Sequence, residues 1–131
     1  MKTISIFLLS LLTACLSSSC GYSSQSMTPA QPGMTPVISQ LVPGSTTHGA
    51  ASFNLTVNGS NFANNAVVNF NGTALATTFM TSSQIVGAVP ASMVVNAGTA
   101  TVVITNPAVM GGIYGGGTLA ASSNSMTFTI N

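Results

Sequence analysis

The segment FNLTVNGSNFANNAVVNF, residues 53–70, carries the clearest structural pattern in this chain of 131 residues. Its first apolar residues, Phe53, Leu55 and Val57, alternate with polar ones, and a period of two indicates a β-strand with one buried face. A turn rich in asparagine follows, then a second apolar run that is closed by an Asn-Gly pair. Because Asn-Gly between apolar runs is a strong indicator of a hairpin, the segment predicts two successive strands and a third beginning after the hairpin.

Further short strands are predicted on both sides of this segment, separated by Pro, Gly, Asn and Ser residues that favour turns. The predicted strands cover residues 37–42, 52–58, 67–70, 73–79, 84–89, 99–105 and 126–130. Between them, residues 45–49 predict a loop, residues 91–96 a loop with one helical turn, and residues 109–125 a long loop rich in Gly and Ser. Thr77, on the polar strand after the hairpin, is expected at the surface, where truncation costs well under about 1 kcal/mol.

About seven short strands at close spacing, with no helical pattern of useful length, predict an all-β fold, an immunoglobulin-like β-sandwich. One apolar face of each strand is expected to supply the core. The predicted core residues are Ile38, Phe53, Leu55, Val57, Phe62, Val68, Phe70, Ile85, Val102, Ile104, Met126, Phe128 and Ile130.

Charge is almost absent: the sequence has no Asp or Glu, one basic residue, Lys2, and one histidine, His48. Nucleic-acid binding requires Lys and Arg to neutralise phosphates, so no nucleic-acid partner is expected. Without carboxylates these residues cannot form a glycosidase carboxylate pair, a carboxylate site for calcium or magnesium, or a Ser-His-Asp triad. The composition therefore predicts a protein that is not an enzyme and holds no metal or other cofactor.

Residues 1–20 have the layout of an export signal. Lys2 forms a short positive region, and residues 4–12, ISIFLLSLL, form an apolar region too short for a permanent membrane span. Export from the cytoplasm is therefore expected.

Cys15 and Cys20 lie at the end of this signal, where the sequence resembles a bacterial lipoprotein signal, a Leu-like residue and two small residues before a cysteine. Leu-Thr-Ala before Cys15 fits that pattern, whereas Ser-Ser-Ser before Cys20 lacks the leucine. A helix from Lys2 to the residue before Cys20 nevertheless spans about 26 Å, nearer the hydrocarbon thickness than the about 18 Å before Cys15. The resemblance implies a diacylglycerol on Cys20 or Cys15, while a Cys15–Cys20 disulfide and secretion with cleavage near Ser19 remain alternatives.

Residues 21–36 contain Ser, Gln, Gly and three prolines without apolar periodicity, which predicts a flexible linker. The domain itself is expected to occupy residues 37–131. This division predicts a folded domain held close to a membrane by a lipidated N-terminus.

The order of short motifs in the domain resembles the IPT/TIG family, an immunoglobulin-like fold found in plexins, Rel-type transcription factors and many bacterial surface proteins. The matching pieces, in chain order, are PVISQLVPGS, LTVNGSNF, VVNFNG, SSQIVGAVPAS, GTATVVITNP and SNSMTFTI. The loop at residues 109–125 departs from the pattern because it is longer than the family's usual turn. The resemblance implies a structural or binding module, and the basic loops of the DNA-binding relatives are missing here.

Three features of the domain bear on a functional site: His48, the glycine-rich residues 111–117, and Tyr114 among them. His48 is expected to be an exposed loop residue, because a metal site needs several ligands and the domain has no second histidine or thiol. Residues 111–117 do not form a phosphate loop, since the Gly-Lys-Ser/Thr ending is missing. Tyr114, an aromatic residue among glycines, is a candidate for stacking on a sugar ring or anchoring a protein contact.

These observations predict a non-enzymatic, lipid-anchored module of the bacterial cell envelope or surface, with a binding, adhesion or structural spacer role. Its expected partners are the membrane, through the anchor, and a protein or glycan. The alternative is a carbohydrate-binding module that uses exposed loop residues such as Tyr114.

Overall fold

The computed structural model describes residues 30–113 and 115–131. The signal segment, both cysteines, most of the linker and Tyr114 therefore lie outside the described residues. Within them the chain is nearly all β-structure with one short 3-10 helix, Ala91–Met93. The strands in chain order are β1 Val37–Val42, β2 Ser45–Thr46, β3 Phe53–Ser60, β4 Val67–Phe70, β5 Thr73–Ala74, β6 Ala76–Thr81, β7 Gln84–Val89, β8 Gly98–Asn106, β9 Val109–Gly112, β10 Gly115–Thr118, β11 Ala121–Ser122 and β12 Met126–Ile130.

Two sheets face each other, which confirms the predicted immunoglobulin-like sandwich. The first has the strand order β1-β3-β7-β6, and the second has the order β2-β12-β8-β4-β5 with β11 also paired to β8. Most of these pairs are antiparallel, and the short β2 instead runs parallel to β12. β2 lies within the predicted loop at residues 45–49, so that prediction was wrong for two residues, which pair with the end of β12.

The core lies between the sheets and is built mainly from the alternating residues that the sequence indicated. Phe128 stacks on Phe53 with ring centroids 5.8 Å apart and meets Phe70 edge-on at 5.5 Å. Two predicted core residues, Phe53 and Met126, are only partly buried and pack against its edge. Buried apolar residues that were not predicted are Leu41, Ala66, Leu75, Val89, Val94 and Ala100.

The predicted strand at residues 73–79 is split between the two sheets. Asn71 and Gly72 both have positive φ, 51° and 82°, so the Asn-Gly pair makes the predicted tight turn, and β5 returns beside β4. At buried Leu75 the chain crosses over, and β6 pairs with β7 of the other sheet. Strand periodicity does not reveal such a crossing because both halves are extended.

Thr77 holds this crossing together, so its prediction as a surface residue was wrong. Its hydroxyl accepts a hydrogen bond from the main-chain N–H of Val68 in the opposite sheet at 3.0 Å and donates one to the carbonyl of Leu75 at 3.0 Å. The side chain is half-buried. One hydroxyl therefore joins the two sheets where the chain passes between them.

The predicted loop at residues 109–125 is largely β-structure, which corrects the sequence prediction. β9 and β10 form a separate two-stranded antiparallel hairpin, and β11 adds to β8. Gly115, Gly116 and Gly117 all have positive φ, between 82° and 102°. Glycine adopts this backbone readily. A glycine run has neither side-chain periodicity nor strand propensity, so the sequence pattern could not predict the hairpin.

Candidate binding surface at one end of the sandwich

Asn106, the last residue of β8, organises one end of the sandwich. It is the buried polar side chain of the described residues, with 5% of its surface exposed. Its Oδ1 accepts a hydrogen bond from the N–H of Ala63 at 3.0 Å, and its Nδ2 donates to the carbonyls of Met34 and Asn61, both at 2.8 Å. One amide therefore fastens the turn between β3 and β4 and the N-terminal segment to the end of β8.

The N-terminal segment, residues 30–36, reaches the domain at this same end and runs beside the hairpin β9–β10. The N–H of Gln31 donates to the carbonyl of Gly117 at 3.0 Å, and the N–H of Leu119 donates to the carbonyl of Gln31 at 2.8 Å. Gly33 packs so closely on the carbonyl of Leu119 that a Cβ atom there would overlap it. These contacts form a parallel bridge between the segment and β10.

A cleft of about 310 Å³ opens between the N-terminal segment, the β3–β4 turn and the base of the hairpin. Its apolar lining includes Met34, Phe62, Pro107, Val109 and Leu119, and Asn106 lies at its wall. The amide of Asn106 is occupied by the three main-chain contacts above, so the cleft offers mainly apolar surface. Its volume is at the lower end of the range of small-ligand sites.

The hairpin exposes large apolar side chains to solvent. Met110 is 93% exposed and Ile113 is 85% exposed, and Val109 and Leu119 at the hairpin base are about half exposed. Isolated exposed apolar residues are common, whereas several on one short hairpin make it a candidate interaction site. Met110 and Ile113 were not predicted as site residues. Large apolar residues within a Gly-rich stretch could have indicated exposed side chains available for contact.

His48 lies at the opposite end of the sandwich, in the loop after β2. Its side chain is exposed, and its Nδ1 lies 2.8 Å from the main-chain oxygen of Asn131. The expectation of an exposed loop histidine is therefore met in the described chain. Residues 30–113 and 115–131 contain no group of three His, Cys, Asp or Glu side chains that could hold a metal ion.

The remaining predicted site residues lie outside the described part of the chain. Cys15 and Cys20 precede it, and Tyr114 falls between Ile113 and Gly115, so lipidation and the aromatic contact stay predictions. Among the helices of the described residues, none has the length and apolar character needed to cross a membrane.

The two facing sheets define an immunoglobulin-like module with an apolar cleft and exposed apolar side chains at one end. The family model of the IPT/TIG domain matches residues 36–130, and the chain belongs to that family. IPT/TIG domains are non-catalytic modules that are often used for binding or as spacers. No curated protein and no solved structure matches the chain.

Proposed function

We propose that this protein is a non-enzymatic, lipid-anchored module of the bacterial cell envelope with a binding, adhesion or spacer role. The observation that carries the proposal is the coincidence of three features at one end of the sandwich. The N-terminal segment enters there, the apolar cleft opens there, and the hairpin exposes Met110 and Ile113 there. We call this end, where the segment that leads to the proposed anchor meets the exposed apolar side chains, the contact end.

The chemistry of the chain supports a module without catalysis. No carboxylate occurs in the sequence, and His48 lies at the other end from the cleft, so neither end combines an acid, a base and a nucleophile. An almost uncharged surface favours association, which suits a domain held on a membrane better than a free, concentrated one.

Mass spectrometry of the protein purified from a bacterial envelope tests the anchor. We expect an N-terminal cysteine carrying a diacylglycerol, at Cys20 or Cys15. Cys20→Ser and Cys15→Ser, tested singly and together, identify the modified residue, and Ser19→Ala serves as the matched control that keeps both thiols. An unmodified N-terminus beyond residue 20 would refute the lipid anchor.

A glycan array distinguishes the proposed role from the carbohydrate-binding alternative. Specific glycan binding that is lost in Tyr114→Ala and kept in Val95→Ala, an exposed residue of the opposite end, would favour the alternative. Absence of glycan binding is the result expected for the proposed role.

A further inference from the structure

Among the described residues, none covers the exposed apolar side chains of the hairpin. β9 pairs only with β10 among the described strands, and the other side of β10 meets the segment at Gln31. The outer edge of β9 is therefore unpaired among the described strands, and we call Met110 and Ile113 the tip of the hairpin. Met110 and Ile113, at 93% and 85% exposure, are the most exposed large apolar residues described.

The absence of charge limits what this tip can recognise. Protein interfaces usually obtain orientation and partner choice from complementary charges, and the described residues contain no Asp, Glu, Lys or Arg. The same absence means that no charged group must lose its water when the tip enters an apolar phase. A lipid surface needs only apolar side chains at the contact, so it fits the tip better than a protein does.

The N-terminal segment connects the hairpin to the proposed anchor. The hydrogen bonds of Gln31 to Gly117 and Leu119 join the start of the described chain to the hairpin. Ten residues, 21–30, then separate Cys20 from Gln31. As the flexible linker that the sequence predicts, ten residues have a root-mean-square span of about 17 Å and cannot exceed about 35 Å. An anchor at Cys20 therefore keeps the hairpin within reach of the bilayer.

We propose that the tip of the hairpin β9–β10, through Met110 and Ile113, inserts into the headgroup region of the bilayer that holds the lipid anchor. The inference rests on the proposed anchor for the tip's proximity to the membrane, and it names lipid as the partner of the contact end. The open main-chain edge of β9 limits the depth, because unpaired N–H and C=O groups are not tolerated in the hydrocarbon core.

Tryptophan fluorescence tests the proposal, because the sequence contains no tryptophan and all tryptophan emission therefore comes from the introduced residue. The Ile113→Trp protein, purified with its native N-terminus, is incorporated into phosphatidylcholine vesicles whose acyl chains carry bromine near the headgroup. We expect the emission to shift to the blue and to be largely quenched. Val95→Trp, which replaces an exposed residue at the opposite end, is the matched control and is expected to stay unquenched. Equal quenching of both proteins, or of neither, overturns the proposal.

Two further arms separate this proposal from that of the anchor and from self-association. If mass spectrometry shows no lipid, the proposed anchor is refuted. The unlipidated Ile113→Trp protein is then added to the same vesicles from solution. Quenching of its tryptophan still supports insertion of the tip, and no quenching overturns the insertion proposal. Met110→Asn and Ile113→Asn should each weaken that partitioning by about tenfold. The partitioning should be unchanged by salt or by anionic lipid, since no charge takes part. Concentration-dependent dimers that Ile113→Asn abolishes, without quenching by lipid, would assign the tip to a second copy instead.

Discussion

Replacement of Asn106 by alanine is the most informative perturbation of this domain, because one buried side chain supports the whole contact end. The change removes three hydrogen bonds, of 3.0, 2.8 and 2.8 Å, to the main chain of Ala63, Met34 and Asn61. At about 1 kcal/mol net for each bond, the expected loss in the free energy of unfolding is about 3 kcal/mol. For a domain of about 100 residues this corresponds to a fall in Tm of roughly 12–24 °C.

The loss is measured by urea denaturation and thermal melts followed by far-ultraviolet circular dichroism. Asn54→Ala, at an exposed position of β3, is the matched control and should change the free energy of unfolding by less than about 0.5 kcal/mol. If Asn106→Ala also lowers the free energy of unfolding by less than about 0.5 kcal/mol, the three hydrogen bonds of this amide do not stabilise the contact end.

Asn106→Asp adds a readout that simple loss of volume would not produce. The carboxyl keeps the shape of the amide but lacks its two donors, and burial without a cationic partner raises the pKa of the new group in the folded state. Stability relative to wild type is then highest below the unfolded-state pKa and is lost as pH rises through the folded-state pKa. The gap in Tm to wild type should therefore be larger at pH 7 than at pH 4, and a gap independent of pH would contradict a buried position.

Three further expectations concern the core, the sheet crossing and pH. Thr77→Ala should lower the free energy of unfolding by about 1–3 kcal/mol because the N–H of Val68 loses its acceptor, whereas Thr77→Ser should retain most of the stability. Thr78→Ala, on the exposed side of β6, is the control and should be nearly neutral. Equal effects of the two alanine variants in urea titrations would show that the Thr77 hydroxyl does not join the sheets. Phe70→Ala should cost about 3–5 kcal/mol in the same assay, since the ring is fully buried against Phe128, and a cost below about 1 kcal/mol would place the core elsewhere. Because the sequence has no Asp or Glu side chain to protonate, Tm should stay nearly constant from about pH 8 to about pH 3.5, and a steep fall in Tm on acidification within that range would contradict this reasoning.

The all-β architecture could be predicted from the sequence because strand periodicity and turn chemistry are local properties. Leu55 and Val57 face the core as their alternation indicated, and the Asn-Gly turn has the positive φ values that its residues favour. The ordered motifs carried enough of the IPT/TIG pattern for the family to be predicted. The lack of charged side chains likewise predicts, from the sequence alone, that nucleic acid is not a partner, and it leaves no Asp or Glu for carboxylate chemistry.

The contact end could not be predicted, because its parts come from distant segments of the chain. Gln31 meets Gly117, and Asn106 joins Met34 to the turn after β3, and no local pattern reports contacts between residues so far apart. An asparagine at a strand end is equally compatible with a solvated turn, so its burial is decided by packing alone.

The sequence by itself therefore determined most of the strands, the family and the absence of charge, since each depends on residue type and short-range spacing. Tertiary structure alone decided that Thr77 bridges the sheets, that a glycine-rich stretch becomes a hairpin, and that this hairpin exposes Met110 and Ile113 beside the N-terminal segment. The physical reason is that hydrogen bonds between distant main-chain groups form only when the packed sheets bring them together, and that packing is a property of the whole chain.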